Sequence, residues 1–385
     1  MKKLYPLAVL IMVYMQALSQ GQTNNWYFGA FAGVTFNSGV PVALTNGALT
    51  TAEGCATISD KYGNLLFYTD GIKVWNKNNV QMTNGFGMNG DPSAAQSATI
   101  VPAPGSSTLF YIFTVAAVGN PAGVCWSQVD MTLNGGLGDV VLATKNTALF
   151  TPSAEKLCAV KHDNGLYVWV VAHGFTDNKF HAYLVDCNGV EAPVISSVGQ
   201  NETAPGWGYM VASSDGKKLA KASANVGFEL VDFNNSTGAV SNPVFLGNPT
   251  SPYGISFSPD NNLLYGIKIN NGSIWQWNLA AGTSAAIIAS MTQIGTAMGT
   301  GAYKGGALQL GPDGKMYFPQ YNQAFLSCIN SPNVVGVGCN IQFNAVSLSG
   351  RNAILGLPPF IQSYFDTTPV INYASVCLNR PRKRC

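Results

Sequence analysis

The sequence predicts an all-β protein made of repeated units, a β-propeller, and two observations support this fold class. The chain of 385 residues contains 42 Gly and 20 Pro but only 10% charged residues. Turns are therefore frequent, and the Ala-, Leu-, Glu- and Lys-rich runs that form long helices are scarce. The second observation is a turn-and-strand motif that recurs along the chain at the spacing of propeller blades.

The repeated motif is an Asp and a turn residue followed by an apolar strand that contains Tyr or Phe. Its clear copies are SDKYGNLLFYTDG (59–71), KHDNGLYVWVVAHG (161–174), SSDGKKLAKAS (213–223), SPDNNLLYGIKIN (258–270) and GPDGKMYFPQY (311–321). PGSSTLFYIFTV (104–115) is a degenerate copy between the first two. Successive Asp markers are 103, 52, 45 and 53 residues apart, which defines six units. Each unit has room for the four short strands of a blade.

The acidic residues of the motif are predicted to be structural turn residues. Asp tolerates hairpin turn geometry, and its carboxylate accepts hydrogen bonds from nearby backbone N–H groups. The residues assigned this role are Asp60, Asp70, Asp163, Asp215, Asp260 and Asp313. The strands that follow are almost continuously apolar, as expected for strands buried on both faces.

Both ends of the chain lie outside the six units, and each contains a strand-like apolar segment, at 24–37 and 354–365. An open ring would expose sheet edges and apolar faces to solvent. We therefore expect one further blade that is built from both chain ends. Seven blades are preferred, although six or eight also fit the spacing.

The N-terminal 19 residues have the features of a secretory signal peptide. Lys2 and Lys3 precede an apolar run from Leu4 to Leu18, and Ala17-Leu18-Ser19 fits the small-x-small cleavage rule. The apolar run is shorter than the roughly 20 residues of a membrane-spanning helix. The sequence predicts an exported protein, extracellular or at the cell surface, without an integral membrane segment in the mature chain. The predicted domains are a signal peptide (1–19), a propeller (24–366) and a linker or truncated tail (367–385).

The eight cysteines are compatible with an oxidising compartment. Cys328 and Cys339 flank the Pro-Asn turn of SPNVVG, and a disulfide that closes this hairpin is predicted. The other pairings remain open.

Residues that could carry chemistry are few. Glu53 is the one acid of the first copy without an equivalent in the repeat, so it is the candidate ligand or funnel residue. The three histidines (162, 173 and 181) fall in one unit without metal-ligand spacing, and no metal site or cofactor is predicted. No GxSxG nucleophile motif or phosphate-binding loop is present, so no catalytic residue is assigned. A net charge of +2 gives no indication of a nucleic-acid partner.

Six segments taken together resemble a known group of proteins. They are WYFGAFAGVTF, AEGCATISDKYGNLLFYTDGIKVWN, QSATIVPAPGSSTLFYIFT, KLCAVKHDNGLYVWVVAHG, ALQLGPDGKMYFPQ and GLPPFIQSYF. This ordered set, over residues 24–366, resembles the N-terminal propeller region of Bacteroidetes surface proteins that are exported by type IX secretion. The resemblance implies a role in adhesion or gliding motility. The sorting domain of that family is missing here, so a periplasmic location is the alternative if its absence blocks export.

The expected function is a non-enzymatic, adhesin-like propeller module that binds an unknown protein or glycan partner through its loop faces. One alternative is a polysaccharide-active hydrolase or lyase that uses the axial funnel. That alternative requires several ionisable side chains to converge at one end of the axis. A purely structural module is the other alternative.

Overall fold

The structure, a computed structural model, describes residues 21–247 and 250–366. Within these residues, seven antiparallel sheets form a seven-bladed β-propeller, which confirms the predicted fold class. The predicted signal peptide (1–19) and tail (367–385) lie outside the described residues.

The strands follow one another blade by blade along the chain. Blades 1 and 2 contain β1 (Asn25–Phe28), β2 (Ala32–Thr35), β3 (Val42–Leu44), β4 (Ala56–Ser59), β5 (Leu65–Thr69) and β6 (Val74–Asn76). Blade 3 contains β7 (Ala98–Pro102), β8 (Leu109–Val115), β9 (Val124–Asp130), β10 (Asp139–Val140) and β11 (Thr147–Phe150). Blade 4 contains β12 (Ser153–Lys161), β13 (Val168–Gly174), β14 (Lys179–Asp186), β15 (Gly189–Val190) and β16 (Val194–Ser197). Blade 5 contains β17 (Met210–Ala212), β18 (Lys218–Ser223), β19 (Gly227–Asn234) and β20 (Ala239–Gly247). Blade 6 contains β21 (Pro252–Phe257), β22 (Leu263–Lys268), β23 (Ser273–Asn278) and β24 (Thr292–Thr296). Blade 7 contains β25 (Gln309–Leu310), β26 (Met316–Pro319), β27 (Phe325–Ile329) and β28 (Ile341–Ser347).

Helical structure is confined to short connections. The single α-helix among the described residues is α1 (Ser284–Ala289), and the 3-10 turns are Gly21–Thr23, Asn134–Gly136, Leu142–Thr144, Leu279–Ala281, Gly336–Cys339 and Gln362–Phe365. None of the helices in this part of the chain is long and apolar enough to cross a membrane.

The repeated Asp residues lie where the first strand of a blade turns into the second. Asp60 Oδ1 accepts hydrogen bonds from the backbone N–H groups of Tyr62 and Asn64, at 2.8 and 2.9 Å. Asp163, Asp215, Asp260 and Asp313 occupy the corresponding turns of blades 4 to 7. We call this end of the propeller the turn end, and the opposite end, where the chain enters the innermost strands, the entry end.

Asp70 differs from the other repeated aspartates because its turn joins β5 to β6 at the entry end. There its carboxylate accepts hydrogen bonds from the backbone N–H groups of Ile72 and Lys73.

Burial follows the position of a strand within its blade. Every residue of β13, β21 and β22 is buried, which explains their continuously apolar sequences. The outer strand β28 alternates between exposed and more buried residues, and four of the nine residues of the outer strand β20 are exposed. The inner strands therefore form the core of the ring, and uncharged polar side chains on the outer strands face solvent.

The ring is closed by both chain ends, as predicted, but the C-terminal contribution is an irregular segment. Ala30 donates to Asn352 O at 2.9 Å, which places the segment 352–361 on the inner side of β1. The consecutive prolines in LPPF lack N–H groups, so a regular ladder cannot continue there. Side chains complete the closure, with the rings of Phe360 and Trp26 6.0 Å apart.

The predicted disulfide between Cys328 and Cys339 is wrong: both thiols are free and buried. Cys328 lies on β27 and packs in the large cluster around Trp26, whereas Cys339 packs with Leu263 and Tyr265 in a separate cluster. The two side chains therefore point into different parts of the core. Cys187 is disulfide-bonded.

Candidate active site at the entry end

Glu53 lies on the connection that leads into β4, at the entry end of the axis. Its backbone N–H donates to Pro92 O at 3.1 Å, and the next residue, Gly54, donates to Ala94 O at 3.0 Å. A Cβ on Gly54 would lie 2.1 Å from the backbone nitrogen of Ser97, so only glycine allows this close approach. The absence of a side chain at Gly54 thus allows the Glu53 connection to pack closely against the loop that enters blade 3.

The Glu53 carboxyl group is buried without a full set of partners. The side chain is 7% exposed, and Oε2 has no hydrogen-bond partner among the described residues. The hydroxyl of Tyr253, which is equally without a partner, is the polar group that faces it. Burial, and after it the negative charge of Glu155, raises the pKa of Glu53 from its usual 4.5 to about 8. Glu53 is therefore mostly a neutral acid at pH 7.

A second carboxyl group, Glu155, enters the same site from the start of β12. Its two oxygens accept the backbone N–H groups of Ala95 and Val118, at 2.9 and 3.1 Å. Burial raises the pKa of Glu155, and these two donors oppose that shift because they stabilise the ionised form. Burial thus raises the pKa of both carboxyl groups, and the two differ in that Glu155 accepts backbone N–H groups whereas Glu53 does not.

Two tyrosines and one aspartate complete this group of side chains. The rings of Tyr209 and Tyr253 meet edge to face with centroids 5.5 Å apart, and Tyr209 N donates to Tyr253 O at 2.8 Å. Burial raises the pKa of both phenols well above 10, so both hydroxyls remain potential donors at neutral pH. Asp91, on the loop beside Glu53, adds a negative charge that further raises the pKa of Glu53.

A buried ionic network lies next to this site, between blades 4 and 5. Lys156, the residue after Glu155, points away from it and pairs with Glu202 at 3.1 Å. Both side chains are completely buried. Lys156 Nζ also donates to the backbone oxygens of Gly206 and Trp207, at 2.9 and 3.3 Å. The network therefore fixes the connection that leads to Tyr209.

The same network extends to a second buried lysine. Lys221 Nζ lies 3.2 Å from Glu229 Oε2 and 3.9 Å from Glu202 Oε2, and it donates to Gln200 O. His173 Nε2 is 3.1 Å from the same ammonium group, and its Nδ1 is 2.8 Å from Gly174 O. Burial, and then the charge of Lys221, holds the pKa of His173 well below its usual value. His173 is accordingly neutral, with Nδ1 as donor and Nε2 as acceptor.

The three histidines take part in different contacts. His162 lies at the turn end with Nδ1 3.1 Å from Asp163 Oδ1, and His181 stacks on Phe150 with ring centroids 3.9 Å apart. No group of three or more His, Cys, Asp or Glu side chains within 21–247 and 250–366 is arranged to hold a metal ion.

The axis itself is filled by the C-terminal segment. Leu355 exchanges hydrogen bonds with Ala52 and Ala307, and Phe360 and Gln362 lie among the innermost strands. The cavity beside them has a volume of only about 10 Å³. The axial funnel that the enzymatic alternative would use is therefore filled at this position, and the ionisable groups converge at the entry end of the axis.

The sequence did not lead to a prediction that Glu155, Tyr253 or the buried lysines belong to the site. The signal that could have identified them is the adjacent pair Glu155-Lys156 inside an otherwise apolar inner strand, SAEKLCAVK. Charged residues are almost never fully buried unless they are paired, so such a pair predicts partners on both neighbouring blades.

Comparison with known proteins finds similarity in fold and none in sequence family. No family model matches the sequence, and no curated protein matches it. A solved structure titled putative 6-phosphogluconolactonase from Bacteroides fragilis is 10% identical, with a TM-score of 0.48 over 87% of this chain and 97% of that chain. One with the same description from Bacteroides uniformis is 13% identical, with a TM-score of 0.46 over 80% of this chain and 78% of that chain. The periplasmic gluconolactonase of Pseudomonas aeruginosa is 13% identical, with a TM-score of 0.41 over 66% of this chain and 74% of that chain. These likenesses concern the fold alone.

The prediction of a non-enzymatic, adhesin-like module that binds a protein or glycan through its loop faces is contradicted. Glu53, Glu155 and Asp91 come together at one end of the axis, which is the arrangement that the enzymatic alternative requires.

The raised pKa of Glu53 predicts a stability that falls as pH rises. A carboxyl whose folded pKa is about 8 and whose unfolded pKa is 4.5 gives its full stabilising contribution below pH 4.5 and loses it towards pH 8. In Glu53→Gln this loss is removed, so between pH 5 and 8 the variant gains about 3 kcal/mol relative to the wild type. Urea unfolding of both proteins at pH 5, 6.5 and 8 measures the difference. The exposed Glu191→Gln variant is the control, and parallel pH profiles for wild type and Glu53→Gln would disprove the assignment.

Proposed function

We propose that this protein is a carbohydrate-active hydrolase or lyase in which Glu53 acts as the general acid. The observation that carries the proposal is the pair of buried carboxyl groups, Glu53 and Glu155, of which Glu155 alone accepts backbone N–H groups that stabilise its ionised form. Such a pair supplies a proton donor and an acceptor in one site at neutral pH. The fold alone does not select this chemistry.

In hydrolysis of a glycosidic bond, the proton of Glu53 passes to the leaving-group oxygen as the bond from that oxygen to the sugar carbon breaks. Water supplies the hydroxyl group that the sugar carbon gains, with the Glu155 carboxylate as the group able to accept its proton. The Tyr253 hydroxyl, which faces Glu53, is positioned to orient the carboxyl group.

The charges around the site favour an uncharged substrate. The negative charges next to Glu53 are those of Glu155 and Asp91, and Lys156, the residue after Glu155, is paired with Glu202. These negative charges would repel a phosphorylated or carboxylated sugar. Neutral polysaccharides and neutral sugar lactones are therefore the favoured substrates.

We also propose that the protein is exported, on the basis of the signal-peptide features of residues 1–19. Membership in the type IX-secreted surface proteins stays a prediction from sequence resemblance. A peptide map of the protein recovered from its natural host, with its N-terminus and cellular fraction identified, would test both.

Activity measurements on the mature chain test the enzymatic proposal. Release of reducing ends from neutral polysaccharides and ring opening of δ-gluconolactone are to be followed from pH 4 to 10. We expect activity that decreases above about pH 8, as Glu53 loses its proton, and that falls by about 100-fold or more in Glu53→Gln. The Glu191→Gln variant is the matched control. Absence of turnover on both substrate classes, or activity that Glu53→Gln retains, would overturn the proposal.

A further inference from the structure

Gln96 is a buried side chain that joins the innermost strands of three neighbouring blades at the entry end. It lies in the turn before β7 of blade 3 and is only 2% exposed. Its Oε1 accepts hydrogen bonds from the backbone N–H groups of Leu157 on β12 and Met210 on β17, at 3.3 and 2.8 Å. Its Nε2 donates to Met210 O at 3.0 Å. One carboxamide therefore connects blades 3, 4 and 5.

This bonding pattern requires a primary amide on a side chain of this length. A carboxamide supplies a donor and an acceptor side by side, so it pairs with both the N–H and the C=O of Met210. The variant Gln96→Met keeps a side chain of similar length but leaves these backbone groups without their partner. Gln96→Asn keeps the amide but is shorter by one methylene group. We therefore expect either substitution to release the turn from the two strands.

The turn that carries Gln96 also binds Glu155 at two atoms. The N–H of Ala95 donates to Glu155 Oε2 at 2.9 Å, and the N–H of Gln96 donates to Glu155 O at 3.3 Å. The Gln96 side chain adds a third attachment at Leu157, two residues further along β12. The position of the Ala95 N–H relative to the Glu155 carboxylate therefore depends on Gln96.

The contact with Met210 links Gln96 to the tyrosines of the site. Met210 directly follows Tyr209, whose N–H donates to Tyr253 O at 2.8 Å and whose ring packs edge to face on Tyr253. Tyr253 in turn faces Glu53. Gln96 is thus bonded to the backbone beside both parts of the site, while its side chain makes no hydrogen bond to a carboxyl group of the described residues.

We propose that Gln96 is a positioning residue of the candidate active site. Through its turn it keeps the Ala95 N–H on Glu155 Oε2, and through Met210 it holds Tyr209 beside Tyr253. Its effect on catalysis rests on the proposed function, in which Glu155 accepts a proton. The positioning of Glu155 itself can be measured without turnover.

Carbon-13 NMR of the full-length protein, labelled at the carboxyl carbon of glutamate, measures this positioning. The glutamates are few enough to be assigned by single Glu→Gln variants: Glu53, Glu155, Glu191, Glu202 and Glu229. In Gln96→Met we expect the midpoint of the Glu155 titration to rise by about one pH unit, because a hydrogen bond to its ionised form is lost. If Gln96→Met does not unfold cooperatively in urea, Gln96→Asn takes its place with the same expected direction.

Gln276→Met is the matched control, because Gln276 is also a buried glutamine that bridges separate segments. Its Nε2 donates to Val334 O at 3.0 Å and its Oε1 accepts the N–H of Gly336 at 2.7 Å, on the outer side of blades 6 and 7. We expect this variant to lose stability while the Glu155 midpoint stays at the wild-type value. An equal rise in Gln276→Met would overturn the proposal, as would an unchanged midpoint in a folded Gln96 variant.

Turnover of neutral polysaccharide or δ-gluconolactone gives a second measurement. We expect Gln96→Met to lower kcat by about ten-fold and to change KM by less than about two-fold. The acidic limb of its pH profile should move to higher pH together with the NMR midpoint, which a loss of stability alone would not cause. A raised midpoint with a wild-type protein that shows no turnover would support the positioning role and reject the proposed function alone. An unchanged midpoint would reject the positioning role even where turnover is observed.

Discussion

Replacement of Gly356 by alanine is expected to lower the free energy of unfolding by at least about 3 kcal/mol. A Cβ at this position would lie 1.6 Å from the backbone oxygen of Glu53. Backbone atoms on both sides are held by hydrogen bonds, including that from Leu355 N to Ala52 O at 3.1 Å. The clash therefore cannot be relieved by a side-chain rotation and must separate the closing segment from the wall of the axis. Urea unfolding measures the loss.

Gly338→Ala is the matched control for this variant. The nearest atom to a Cβ at that position is Val334 Cγ1 at 2.9 Å, the end of an exposed side chain that can move. We expect a change of less than about 1 kcal/mol for this control. Similar losses in the two variants would show that the packing around Gly356 does not hold the ring closed.

Replacement of Lys156 by methionine is expected to cost about 3–5 kcal/mol, because it leaves the carboxylate of Glu202 buried without its main partner. Lys156 and Glu202 are both fully buried, and the ammonium also holds two backbone oxygens of the connection before β17. Urea unfolding at pH 7 measures the cost. The double variant Lys156→Met, Glu202→Gln should recover part of the loss, since the uncompensated charge is then absent.

An exposed ion pair provides the contrast. Lys218 and Asp232 are 2.7 Å apart, but each side chain is 41% exposed. Solvent screens such pairs, so Lys218→Met should change stability by less than about 1 kcal/mol. If Lys156→Met and Lys218→Met had equal effects, the buried network would not be the structural element inferred for it.

The architecture could be predicted from the sequence because its determinants are local. The Asp turn and the apolar strand that follows it lie within about a dozen residues of one another in each copy, and their spacing defines the blade. The C-terminal closure could also be inferred, since a ring must not leave an open edge. The filling of the axis could not be predicted from the sequence, because it depends on how Phe360 and Leu355 pack against strands that lie hundreds of residues earlier in the chain.

The candidate site was predicted only as far as Glu53. Its position outside the repeat marked it as unusual, but Glu155 and Tyr253 reach it from blades that are distant in sequence. The Cys328–Cys339 pairing failed for a related reason. The short distance between the two cysteines along the chain gave no information on where their side chains point, and the two thiols lie in different clusters of the core.

The position of the closing segment has a consequence for synthesis of the chain. β1 is made well before its inner neighbour, residues 352–361. The edge of β1 and the face of Trp26 therefore stay uncovered while the other six blades are translated. The first blade completes its core only when residues 352–361 have been translated, so a translation product interrupted before them would retain an exposed, aggregation-prone sheet edge.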